Sequence, residues 1–116
     1  MASFTKQKLS GSTNGRAILV AANATLGTTI HTDGASASGF DEVYLWAWNS
    51  DASDILLTIE WGAATDPDDI MEVTIPSQDG WYNIVPGFII DGGLVVTAFA
   101  GTANVVTIQG FVNRIE

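Results

Sequence analysis

The feature that most constrains this chain is its punctuation. Turn-forming residues interrupt it roughly every 10–12 positions, and short runs rich in Val, Ile, Thr and aromatic residues lie between the breaks. The runs are Arg16–Ala22, Leu26–Thr32, Glu42–Asn49, Ile55–Trp61, Ile70–Pro76, Trp81–Val85, Leu94–Ala100 and Val105–Asn113, with a brief apolar stretch at Phe88–Ile90. The breaks are Asp33–Gly39, Ser50–Asp54, Gly62–Asp69, Ser77–Gly80, Asp91–Gly93 and Gly101–Asn104. Each is built from residues that favour turns for a local backbone reason.

Strict alternation is clearest in Glu42–Asn49. There Val43, Leu45 and Ala47 point one way and Tyr44, Trp46 and Trp48 the other. No stretch sustains the i, i+3, i+4 spacing of an amphipathic helix beyond two turns. The breaks are also too short for the crossovers that parallel strands require. The pattern predicts an all-β fold, an antiparallel β-sandwich of about eight strands, jelly-roll-like, with a seven-stranded Greek-key sandwich as the alternative. Gly110 inside the last run predicts a bulge or a close backbone approach. Pro76 ends its run because proline has no N–H to give a central ladder.

The 116 residues suit one domain with its own core. Residues 1–15 are polar and turn-prone, with only Phe4 and Leu9 to anchor them, and are expected to form a flexible N-terminal arm. Residues 16–116 are expected to form the single sandwich.

Charge is sparse and sorted. Charged residues make up 15% of the chain, which makes burial of its surface by identical neighbours plausible. The formal net charge is −9. Lys6, Lys8 and Arg16 lie in the first sixteen positions, and twelve of the thirteen acids lie between Asp33 and Asp91. An acidic body argues against binding a phosphate backbone or an anionic membrane surface. No apolar run approaches the ~18 residues of a membrane span. The first twenty residues lack the apolar centre and cleavage site of a secretory signal, so ordinary export is not expected. With no cysteine, no disulfide staples the fold.

The reactive inventory is bare. His31 has no second His and no Cys to join it in a metal or general-base site, and it is expected to be a structural or a surface histidine. Asp66-Pro67-Asp68-Asp69, with Glu72 nearby, offers carboxylates, but the spacing is not that of a calcium loop and Asp and Pro are ordinary turn formers. No metal, cofactor or catalytic residue is assigned, and the chain is not expected to be an enzyme. Tyr44, Trp46 and Trp48 form a candidate subunit or ligand face, since aromatic rings are enriched at protein interfaces. The same rings would serve as a platform for sugars.

The stretches MASFTKQKLSGSTNGR, LTIEWG…DPDDIMEVTIP, GLVVTAFAGTANVVTI and GFVNRIE, taken in this order, resemble small virion proteins of tailed bacteriophages encoded near the major capsid protein. The resemblance spans nearly the whole chain, contains no chemical motif and transfers no catalytic residue. It implies a capsid decoration (cement) protein that binds and stabilises the outer shell, forms a homo-oligomer, a trimer above all, and takes the major capsid protein as partner; the acidic charge, and not the resemblance, is why neither nucleic acid nor membrane is expected as a partner. Such proteins often grip the lattice with an N-terminal arm, which would here use Phe4, Lys6, Lys8, Leu9 and Arg16. The alternative is a head-fibre or tail-associated β-sandwich that binds host-surface glycans through Trp46 and Trp48.

Overall fold

The computed structural model describes residues 3–116. Among them are nine strands and no helix: β1 (Phe4–Lys8), β2 (Ile18–Leu19), β3 (Thr28–Thr32), β4 (Phe40–Asn49), β5 (Ile55–Trp61), β6 (Ile70–Ile75), β7 (Tyr82–Ile90), β8 (Val95–Ala100) and β9 (Val106–Ile115). One sheet runs β1-β9-β4-β7, with β2 also paired to β9; the other runs β3-β8-β5-β6. Every pairing is antiparallel.

β1 and β2 occupy one edge of β9 in succession. Phe4–Lys8 pair with Ile115–Phe111, and Ile18–Leu19 with Ile108–Thr107. They act as one strand interrupted by residues 9–17. Counted so, the chain has eight strand positions, ordered 1-8-3-6 in one sheet and 2-7-4-5 in the other. That is the jelly-roll order, two Greek keys folded face to face, and the expected fold class holds.

The alternating runs bury one face each. Val43, Leu45 and Ala47 of β4, Leu57 and Ile59 of β5, Val96 and Ala98 of β8, and Ile108 and Val112 of β9 meet in the core. Each large aliphatic chain so buried contributes roughly 1.5–3 kcal/mol. Gly110 sits where β9 passes closest to β4: an added Cβ would overlap the Tyr44 carbonyl. The β4–β9 register runs on without a shift, so this glycine marks close approach and not a bulge.

Three expectations are corrected. The N-terminal segment is not a free arm. Residues 4–8 are a sheet strand, and Leu9 is 1% exposed, in the core. Beyond it the Ser10 N–H donates to His31 Nδ1 (3.0 Å), the Gly11 N–H to the Ile30 carbonyl (3.0 Å), and the Thr32 N–H to Ser10 Oγ (2.7 Å). Residues 9–11 thus clasp the edge of β3 and close one flank of the sandwich. The polar composition that read as an arm reflects an edge strand and a clasp made of hydrogen bonds from backbone N–H groups to a carbonyl, an imidazole and a hydroxyl. Met1 and Ala2 lie outside the described residues.

The second correction concerns Arg16–Ala22, which holds only a two-residue strand. Asn14 (φ 56°) and Gly15 (φ 80°) make a tight turn closed by the Arg16 N–H and the Thr13 carbonyl at 3.0 Å. Asn-Gly is the pair that such left-handed turns favour. The third concerns Trp81–Val85 and Phe88–Ile90, which are one strand running through Pro86. β7 lies at a sheet edge and shifts register twice against β4, the setting in which a strand accommodates proline.

Candidate functional site

The outer face of the first sheet gathers most of the singled-out residues. Its strands are held in register by paired residues, and directly paired residues share a face. Tyr44 pairs with Phe111, Trp46 with Gln109, Trp48 with Thr107 and Glu42 with Asn113. Lys8 pairs with Phe111, Lys6 with Asn113 and Phe4 with Ile115. Phe4, Lys6 and Lys8 therefore stand on the same face as Tyr44, Trp46 and Trp48. The aromatic residues of β4 are half-buried, while Val43, Leu45 and Ala47 are fully buried on the other side.

Phe111 organises this face. Its ring stacks on Tyr44 with centroids 4.9 Å apart and 19° between planes, and on Trp46 at 6.2 Å and 26°. Lys6 Nζ lies 4.2 Å from the Phe111 centroid, a cation over a ring face. The Tyr44 hydroxyl donates to Glu42 Oε1 (2.8 Å), which also accepts from Asn113 Nδ2 (3.2 Å). That bond to Glu42 raises the Tyr44 pKa, because the carboxylate favours the protonated phenol. The result is an aromatic patch rimmed by cations on an otherwise acidic protein.

Leu9 and Arg16 do not join it. Leu9 is core. Arg16 lies by a shallow cavity of about 260 Å³ that it lines with Gly11, Thr13, Ala17, Ile18 and Leu19. Trp61 and Trp81 lie elsewhere: the Trp61 indole bridges the sheets by donating to the Ile89 carbonyl (3.2 Å) and meeting Phe88 edge-on, and Trp81 is exposed. Phe111 was missed in the sequence. It pairs with Tyr44 only through the β4–β9 register, which local pattern does not reveal.

A polar network closes the same end of the sandwich as the clasp. Asp41 is fully buried. It accepts from Arg114 through Nε (2.9 Å) and Nη2 (3.0 Å), from His31 Nε2 (2.6 Å) and from the Gly34 N–H (3.2 Å). Burial pushes its pKa up, but the Arg114, His31 and Gly34 donors outweigh that and hold it at about 2. Reciprocally, the bond to Asp41 raises the Arg114 pKa. Because Nδ1 of His31 accepts from the Ser10 N–H, the ring proton belongs on Nε2. Both ring nitrogens are engaged and His31 is 1% exposed. An Asp–His pair here ties β3 to β4 and β9 and offers no nitrogen to a substrate.

Glu60 is also fully buried, on the outward side of the second sheet. Its carboxylate accepts from Thr97 Oγ1 (2.7 Å), the Gly27 N–H (2.8 Å) and Thr25 Oγ1 (2.9 Å), so it pins the 25–27 loop over the sheet. Burial raises its pKa and these three donors more than reverse that, leaving it lowered. Among the described residues, every buried side-chain nitrogen and oxygen has a partner.

In the acidic loop, Asp69 Oδ2 accepts from the Thr65 N–H (3.1 Å) and the Asp69 carbonyl from the Trp61 N–H (2.7 Å). These are loop-closing bonds. Among the described residues no group of three or more His, Asp or Glu is placed to hold a metal ion.

Compared with protein-family models, with curated proteins and with solved structures, the chain matches none of them.

Proposed function

We propose that the protein is a non-enzymatic binding module of a tailed-phage particle, a capsid decoration protein that attaches to the outer shell and stabilises it. The observation that carries this reading is the outer face of the first sheet. Phe111 and Lys6 join Tyr44, Trp46 and Trp48 into one aromatic patch with a cationic rim. Half-exposed aromatic rings supply large contact area at little entropic expense. The buried His31, Asp41 and Glu60 are hydrogen-bonded within the fold, His31 and Asp41 to each other, Asp41 to Arg114, Glu60 to Thr25 and Thr97, and all three to backbone N–H groups, which favours a role at the surface. The resemblance supplies the virion setting and the partners, the major capsid protein and sister copies, a trimer above all.

Co-sedimentation tests it. The purified protein is mixed with heads, stripped of it, from the phage that encodes it. The wild-type chain pellets with the heads, and Trp46→Ser and Lys6→Glu pellet at least tenfold less. Equal pelleting of all three would remove the patch from the contact.

A glycan-binding role is the second reading. Trp46 and Trp48 lie two positions apart on one strand, about 7 Å, on the same outward face. A glycan array with Trp46→Ala as control separates the two readings.

A further inference from the structure

The four sheet edges are not treated alike. The β3 edge is clasped by residues 9–11, and Thr28 Oγ1 there accepts from the Ala21 and Ala22 N–H groups (3.2 and 3.1 Å). The β7 edge carries Pro86 and two register shifts. The β1 edge carries Lys6 and Lys8. Proline, bulges, lysines and covering segments are the usual means of keeping foreign strands off an edge. β6 has none of them: Ile70–Ile75 contains no proline or lysine and pairs with β5 without a register shift.

The free hydrogen-bonding groups of β6 can be named. The Leu56 carbonyl accepts from the Gly101 N–H, so Leu56, Thr58 and Glu60 direct their backbone groups toward β8. Leu57 and Ile59 then direct theirs to β6, where they meet Val73 and Met71. The N–H and C=O of Glu72 and Thr74 consequently point away from the sheet. Behind this edge, Met71, Val73, Tyr82 and Ile84 form a partly buried apolar rim against the core.

Charge identifies the occupant. Asp66, Asp68 and Asp69 lead into β6, Glu72 stands on it and Asp79 follows it, while Lys6, Lys8 and Arg16 belong to the N-terminal segment on the clasped flank. We propose that the β6 edge is a strand-addition site for an extended segment of a partner protein that alternates apolar with Lys or Arg residues. Apolar side chains level with Met71 and Val73 extend the rim, and basic ones level with Glu72 pair with its carboxylate. Main-chain bonds to Glu72 and Thr74 supply the attachment. A second copy fits less well. On its own β1, Phe4, Lys6 and Lys8 share one face and the other carries Thr5 and Gln7, which are polar. This inference does not rest on the aromatic face.

The test uses the full chain and a capped hexapeptide of alternating lysine and valine, with a glutamate–valine hexapeptide as control. Amide hydrogen exchange is read by NMR. Addition of the lysine peptide slows exchange at Glu72 and Thr74 at least tenfold, and the glutamate peptide leaves both unchanged. Thr74→Pro removes an N–H that no strand among the described residues uses, so the protein stays folded and the protection vanishes. Glu72→Lys weakens the lysine peptide about tenfold, the effect of replacing an attractive cross-strand pair by a repulsive one. Equal protection by both peptides, or full protection in folded Thr74→Pro, would overturn the proposal. So would protection of these amides with rising protein concentration and no peptide, which would make a second copy the occupant. Loss of the aromatic patch in Trp46→Ser leaves peptide protection intact, so failure here and failure of the shell-binding reading are told apart.

Discussion

Lys6 places its ammonium 4.2 Å from the centre of the Phe111 ring, and so joins the N-terminal strand to the aromatic face of β4. Two surfaces that are separate in the sequence, a basic N-terminal segment and a tyrosine–tryptophan stripe, are one surface in the fold. Phe111→Ala removes the shared partner of Lys6, Tyr44 and Trp46. The ring is half-buried, so the loss of stability is about 1–3 kcal/mol. Urea denaturation measures it, and a red shift of tryptophan emission reports the newly wetted Trp46.

Leu9 is a core residue in a segment whose composition is that of a loose terminus. Leu9→Ala is expected to destabilise the fold by about 2–5 kcal/mol. Removal of residues 2–15 should cost more, because it also takes away β1 and the clasp on His31 and Ile30. Thermal unfolding followed by circular dichroism checks both. A truncated chain as stable as the whole would contradict the clasp.

Asp41 makes stability depend on pH in a defined direction. Its pKa falls from an ordinary 3.8 to about 2 on folding. A carboxylate with a depressed folded value stabilises fully above the unfolded value, and that contribution is lost as pH falls through the folded one. Nearly two pKa units correspond to roughly 2.5 kcal/mol, present above about pH 5, mostly lost by about pH 2 and gone below it. The lowered pKa of Glu60 adds a loss of the same sign. Chemical denaturation across pH 2–6 should show the decline. In Asp41→Asn the Asp41 part of that pH dependence disappears, and the protein is less stable by about 3–5 kcal/mol, since Arg114 is left without its buried partner.

Gly110→Ala tests the strand contact under the aromatic face. A methyl group there overlaps the Tyr44 carbonyl, so β9 and β4 must separate. The expected result is a loss of several kcal/mol or failure to fold, at a position where an ordinary mid-strand Gly→Ala change would stabilise by roughly 0.5–1 kcal/mol.

The fold was legible where local pattern decides it. In β4 the alternation of Val43, Leu45 and Ala47 with Tyr44, Trp46 and Trp48 reads directly as a strand with two unlike faces. Ile55–Trp61 is correct to the residue. What the sequence concealed is carried by long-range contacts. β1 has no alternation, because neither of its faces is buried: Phe4, Lys6 and Lys8 on one and Thr5 on the other are exposed, and Gln7 is only partly covered. Pro86 reads as a break unless β7 is known to be an edge. Phe111 and Tyr44 are far apart along the chain, and only register brings them together. Asp41 and Glu60 look like surface acids until the donors that bury them, Arg114 and His31 for one and Thr25, Gly27 and Thr97 for the other, are placed beside them.

We propose that the face formed by Lys6, Tyr44, Trp46, Trp48 and Phe111 is the contact surface that holds this protein on a phage shell. Cryo-microscopy of the intact particle tests it most directly. The claim predicts sandwich-shaped density on the outer capsid with this face against the shell or a sister subunit and the rings of Trp46 and Trp48 covered. Density elsewhere on the particle, or a sandwich on the shell with this face turned to solvent, would contradict it.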